Sequence, residues 1–332
     1  MLVRKYLPLL VAVDISLALL VGYLWPQVSM LKAAIPFFLF VMLYPMMINL
    51  SIGEIGKGLK APKLVILAVL MNFALTPLLG ALWTRVLFDG ADPYLKTGFL
   101  LKVLVPGSGM VAAWTGYARG KVESALIIIA LGMVLSTFLV PLWMMALAGT
   151  YVHIDPLMIF RSMLLIIALP LVAGLVTRRV IVRKYGVERY RRIAPHFPTI
   201  SSMGMLVMVF AIMSSEATLI VTQYRQMLLV IGGIATLYPM LFCLSILVSR
   251  MMRLGHGDAM ALGYSVTAKN HAITIGVATT AFGGTLAVLP AAVAPIVQIP
   301  VMLLFLGLSD RIKGFLGERV VPEKAPAKAE VH

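Results

Sequence analysis

The chain has 332 residues, of which 61% are hydrophobic and only 12% charged, and that balance excludes an ordinary soluble domain. Its formal net charge of +15 would suit nucleic acid, but the basic residues stand in short loops between apolar runs, where membrane topology accounts for them. A lone cysteine, Cys243, excludes a disulfide framework and a cysteine metal cluster, and no H-E-x-x-H, G-x-S-x-G or Walker sequence is present, so neither an enzyme nor a cofactor is indicated.

The first apolar run follows Arg4 and Lys5 and extends past Trp25. It contains Asp14 and has no small-x-small cleavage site, so it reads as a retained span and not a signal peptide. Ten spans are expected, at about 6–26, 34–52, 64–88, 94–118, 122–149, 156–177, 198–220, 226–249, 257–283 and 286–309. One side of this alternation collects Arg4 and Lys5; Lys57, Lys60 and Lys63; Arg119 and Lys121; seven residues from Arg178 to Arg192; Arg250 and Arg253; and Arg311, Lys313, Arg319, Lys324 and Lys328. The other keeps Lys32, Arg85, Lys96, Arg161 and Arg225, while Lys102 and Lys269 fall inside spans. The bias predicts a plasma-membrane protein with both termini in the cytoplasm.

A repeat is legible in the same count. Residues 1–177 hold the first five-span repeat, with span 156–177 opening the second. A basic cytoplasmic loop at 178–197 separates them from the rest of the second repeat at 198–319, and the polar tail 320–332 is expected to be disordered. Thr76-Pro77 lies 162 residues before Tyr238-Pro239, and the same offset carries Pro106-Gly107 onto Ala268-Lys269. An odd number of spans per repeat inserts the second copy upside down, and matched interruptions in inverted repeats point to a secondary transporter with its site near the midplane.

Two stretches carry the candidate chemistry. In the fourth span, Pro106, Gly107, Ser108 and Gly109 interrupt the helix, because proline removes a donor and glycine leaves helical geometry freely. Backbone unwound at that depth must line a cavity or be buried in protein, and the half-helix that starts near Ser108 offers its positive end to an anion. In the ninth span, Thr267, Ala268, Lys269, Asn270 and His271 lie mid-run. Lys269 is about 11 residues, or roughly 16 Å, from one end of its span, too deep to snorkel. A charge there costs of order 3 kcal/mol to insert and is expected to face protein or an aqueous cavity. It reads as a solute or ion site, or as an interior lysine paired with a carboxylate. Asp14 is a deep acid that could neutralise Lys102 or Lys269 or carry a proton. Lys102 could instead snorkel outward, and His271 could titrate or pack. Asn72 is one of several polar residues inside spans, most of which bond across helices.

The stretches Leu43-Tyr-Pro-Met-Met47, Asn72-Phe-Ala-Leu-Thr-Pro77 and Gly107-Ser-Gly-Met-Val-Ala-Ala-Trp114-Thr-Gly-Tyr-Ala-Arg-Gly120 together resemble the bile acid:sodium symporter superfamily, and within it the arsenite-permease branch. The resemblance covers nearly the whole chain. It implies an all-α polytopic membrane protein with ten transmembrane helices in two inverted five-helix repeats, broken crossing helices four and nine, core and panel domains, and alternating access. It also places that branch's arsenic-contacting cysteine on Gly107. Sodium-coupled relatives carry an acid and then Gln-Asn where this chain has Ser265 and Lys269-Asn270. The expected activity is transport of a small anionic solute, with protons rather than sodium as the coupling ion. Alternatives are arsenite or oxyanion efflux, a sodium-coupled organic anion symporter, and a non-transporting sensor.

Overall fold

A computed structural model of the chain describes residues 2–49, 62–283 and 285–318. Among them the regular structure is helical, with a single antiparallel bridge. The helices are α1 (Leu2–Leu24), α2 (Ile35–Ile48), α3 (Pro62–Leu87), α4 (Pro93–Leu104), α5 (Met110–Tyr117), α6 (Val122–Ala148), α7 (Pro156–Met163), α8 (Leu169–Ile193), α9 (Phe197–Ser215), α10 (Tyr224–Met251), α11 (His256–Thr267), α12 (His271–Phe282), α13 (Leu289–Gly307) and α14 (Ser309–Phe315). Every expected span overlies one or two of them. Among the described residues, five helical stretches are long and apolar enough to cross a membrane. This is a multi-pass membrane protein.

The side chains are arranged for lipid. Along α3, Ile66, Leu70, Leu78, Leu82 and Val86 form an exposed stripe, while Leu64, Leu67, Ala68 and Met71 are buried on the other side. A soluble helix would put polar residues on the first face; a bilayer asks for apolar ones, and for every backbone group to be bonded within its own segment. Close packing uses small residues. A Cβ added to Gly98 in α4 would run into the backbone of Ala287, and Gly263 in α11 lies under the Phe242 ring.

Proline marks the places where the backbone departs from α geometry. Pro77 has no N–H for the Phe73 carbonyl, and the Trp143 indole donates to that carbonyl instead, at 2.8 Å. One turn earlier, Met71–Leu75 widens to a π-helix, and the Thr76 hydroxyl donates to the Met71 carbonyl at 2.6 Å. This turn holds Asn72, and π turns of this kind recur at functional sites. The starts of α4 and α7 share one device: Asp92 and Asp155 each accept two backbone N–H bonds ahead of a proline.

Two groups of helices pack together. In the first, α2 lies against α8 and α9, and α1 against α9. In the second, α10 contacts α11 and α13, and α11 contacts α5 and α6. The expected loop at 178–197 is corrected: α8 runs on to Ile193, kinked at Gly186 with φ 80°. Its Arg, Lys, Glu and Tyr residues are good or neutral helix formers, and no proline intervenes before Pro195. Lys57, Lys60, Arg319 and the expected disordered tail 320–332 lie outside the described residues.

Candidate functional site

The two expected interruptions meet at the centre of the second group. After Leu104 the chain turns extended at Val105, with φ −60° and ψ 153°, and helix resumes at Met110. Across from it α11 ends at Thr267, and α12 begins after Asn270, which is itself extended. The two unwound segments pair as a minimal antiparallel ladder, with Gly107 opposite Lys269. Ser108 N–H donates to the Ala268 carbonyl at 2.9 Å, and Asn270 N–H donates to the Pro106 carbonyl at 3.0 Å. Backbone that would be costly in a lipid interior is thereby satisfied by the opposite break. The approach at Gly107 is close: a Cβ would lie 2.9 Å from Val111 Cγ2 and 3.1 Å from the Ser265 carbonyl oxygen, so a larger residue there would need a small shift of its neighbours.

Side chains complete the crossing. Lys269 is fully buried, and its Nζ donates to Asn72 Oδ1 at 3.0 Å. The Asn72 amide in turn donates to the Ala68 carbonyl at 3.0 Å and to Ser265 Oγ at 3.1 Å. Gln298 Nε2 reaches the Lys269 carbonyl at 3.4 Å. Asn270 caps α12 by accepting from Ile273 N–H at 3.2 Å, while its Nδ2 has no partner among the described residues. Gly109 N–H points at Met46 Sδ, 3.0 Å away on α2. A small pocket adjoins the crossing, with Asn72, Phe73, Pro106, Gly107, Gly132 and Ser265 in its wall.

Of the residues singled out in the sequence, Asn72, Pro106, Gly107, Ser108, Gly109, Ala268, Lys269 and Asn270 come together here. Thr267 does not join them; its hydroxyl bonds back to the Gly263 carbonyl at 2.8 Å and contacts Met302 Sδ at 3.6 Å. Lys102 does not snorkel: the side chain is wholly buried and its Nζ has no partner among the described residues. It feels the charge of Lys269, and His271 feels that of Lys102. His271 is buried with Nδ1 unpartnered. Asp14 stands apart on α1, half-buried, with Oδ2 unpartnered and no ion pair to either lysine. Sequence reasoning passed over Ser265 and Gln298 as site residues. Ser265 lies one turn before Lys269 on the same helix face, and Gln298 is a lone amide between Pro295 and Pro300, so each carried a signal.

Residues 36–223 match the sodium bile acid symporter family. The chain belongs to that family. Members of the sodium bile acid symporter family are membrane transporters and not enzymes, and this chain is a transporter of that kind. It is 25% identical over 337 residues to the arsenical-resistance protein Acr3 of Alkaliphilus metalliredigens, spanning 95% of this chain and 94% of that protein. It is 22% identical over 353 residues to the Acr3 of Corynebacterium glutamicum, with 98% and 94% covered. It is also 25% identical over 248 residues to the probable sodium/metabolite cotransporter BASS1, chloroplastic, of Oryza sativa subsp. japonica, with 75% and 59% covered. Ser265 and Lys269, the two positions at which the resemblance sets this chain apart from sodium-coupled relatives, both contact Asn72.

Proposed function

We propose that the chain is a secondary active transporter that carries a small anionic solute across the plasma membrane by alternating access, coupled to protons rather than sodium. The observation that carries this reading is the Lys269 ammonium, buried at the crossing on a neutral partner, Asn72, with no carboxylate paired to it. A buried charge without a counter-charge is unfavourable, and a bound anion supplies one. The N-termini of α5 and α12 open at the same crossing, and their dipoles favour negative charge there. An ammonium cannot ligate sodium. Held on Asn72, it supplies a fixed positive charge that removes the need for that cation. Asp14 and His271 are our candidates for carrying a coupling proton.

The reading includes ten spans in two inverted five-span repeats, arranged as a panel (α1, α2, α8, α9) and a core built around the breaks, with both termini cytoplasmic. Pro8, Pro36 and Pro77 recur 162 residues on as Pro170, Pro198 and Pro239. The same offset exchanges the two hydrogen bonds of the crossing, since Ser108 maps on Asn270 and Pro106 on Ala268. That exchange is what a two-fold axis through the Gly107–Lys269 bridge would produce.

A second reading, extrusion of arsenite or another oxyanion, is favoured by the near full-length similarity to two Acr3 proteins. Against it, Gly107 stands where the resemblance places a thiol, and Cys243 is exposed on α10. The deciding experiment is uptake of labelled organic anions and arsenite into proteoliposomes, with sodium and pH gradients imposed separately. Uptake of an organic anion driven by the pH gradient, and indifferent to replacing sodium by potassium, is expected. Sodium-driven uptake would overturn the coupling.

A further inference from the structure

Lys102 is used neither by the Asn72–Lys269–Ser265 contacts nor by the backbone ladder. It lies on the last turn of α4, is fully buried, and ends in an ammonium without a partner among the described residues. Three helical steps and two extended ones separate it from Gly107, about 10 Å of chain. Gly107 is the residue bridged to Lys269, so the two lysines approach one crossing from either side of the break.

We propose that the transported solute is a dianion, one of its negative groups held by Lys269 and the other by Lys102. The proposal rests on the anion reading above and narrows it to a substrate class. A buried amine keeps its proton where a negative charge meets it, so a monoanion at the crossing serves one lysine and a second negative end is needed for both to be ammonium. No described residue fills the second role, since the Lys102 nitrogen has no partner among them. Asp14 pairs with neither lysine. Beside the lysines, Asn270 Nδ2 and His271 Nδ1 are buried and unpartnered. The first is a donor, free to meet an anion. A small molecule with two negative ends, such as a short dicarboxylate or a divalent oxyanion, satisfies both lysines and the Asn270 amide together. Lysine side chains each reach several ångströms, so the two ends of a short dicarboxylate can be met across the break.

The test uses the full-length protein in nanodiscs and matched pairs of probes: succinate against butyrate, and sulfate against methanesulfonate, at constant ionic strength. Binding is read by calorimetry and by thermal stabilisation. The native protein should bind the dianion of at least one pair tenfold or more tighter than its monoanion. Lys102→Met should bring that ratio close to one by weakening the dianion far more than the monoanion, and Lys102→Arg should largely keep it. Equal affinity for both members of every pair that binds, or a ratio untouched by Lys102→Met, would overturn the proposal. Should Lys102→Met fail to accumulate, the ratio in the native protein and in Lys102→Arg still decides. If no anion of either charge binds the native protein, the anion reading itself falls, and the dianion with it.

Discussion

Replacing Lys269 by methionine separates a transport residue from a structural one, because the two roles predict opposite costs. The side chain is fully buried and its ammonium has one hydrogen-bond acceptor, Asn72 Oδ1 at 3.0 Å. Methionine keeps the length and removes the charge. Substituting buried charges by apolar groups of similar volume is often neutral or stabilising by about 1–4 kcal/mol. Against this stands the unsatisfied Asn72 oxygen, worth about 1–3 kcal/mol, although that amide still donates to Ala68 and Ser265. The two nearly cancel, so the unfolding temperature in detergent should stay within a few degrees of native or rise. Transport should behave otherwise. Truncating one partner of a buried charge pair typically costs about 2–5 kcal/mol of binding, which converts to roughly 30-fold to several thousand-fold in affinity. The assay is solute uptake in proteoliposomes, paired with thermal unfolding of the same preparations. Transport within threefold of native would refute the reasoning; so would a loss of more than about 3 kcal/mol of stability, which is the mark of a broken structural ion pair.

Four further outcomes are expected. Asn72→Asp places a carboxylate 3.0 Å from the Lys269 ammonium; it should stabilise the unliganded protein and cut transport at least tenfold, and unchanged uptake would count against a solute role for Lys269. A sensitive host expressing the chain should gain little arsenite resistance, and Cys243→Ser should leave it unaltered, since that thiol is exposed on α10 away from the breaks; strong resistance lost with Cys243 would relocate the site. Reporters fused after His332 and within Arg183–Arg192 should both read cytoplasmic, and a periplasmic signal from either would break the ten-span topology. Burial holds the His256 imidazole below its usual pKa at the end of α11, where its Nε2 meets Ser309 Oγ at 3.1 Å. The unfolded chain therefore takes up that proton first, and stability should fall as pH drops below about 6.5. Melting curves of His256→Gln between neutral and mildly acidic pH should show a smaller slope than native, and an equal slope would assign the effect to other groups.

What the sequence disclosed, and what it did not, follows from the range of the forces involved. Proline and glycine act on their own backbone, so Pro106–Gly109 announced a break without any knowledge of its surroundings, and the positions of the apolar runs needed only the bilayer. A lysine too deep to snorkel was legible for the same reason, since its depth is counted along one helix. The partner of that lysine was not. Asn72 reaches Lys269 because Pro77 forces a π turn at Met71–Leu75, and that turn rotates the carboxamide toward a helix nearly two hundred positions away in sequence. Lys102 shows the limit from the other side. Counting residues placed it within snorkelling range of the outer interface, yet the packing of α4 against the Leu286–Val288 turn and α13 closes over the side chain completely. Depth along a helix is a property of the sequence, whereas access to water depends on what the neighbours cover. The same distinction explains why the helical run after Arg178 was read as a loop. Charge density alone says that a segment is wet, and its helix-forming residues on either side of the break at Gly186 say that it can be wet and helical at once.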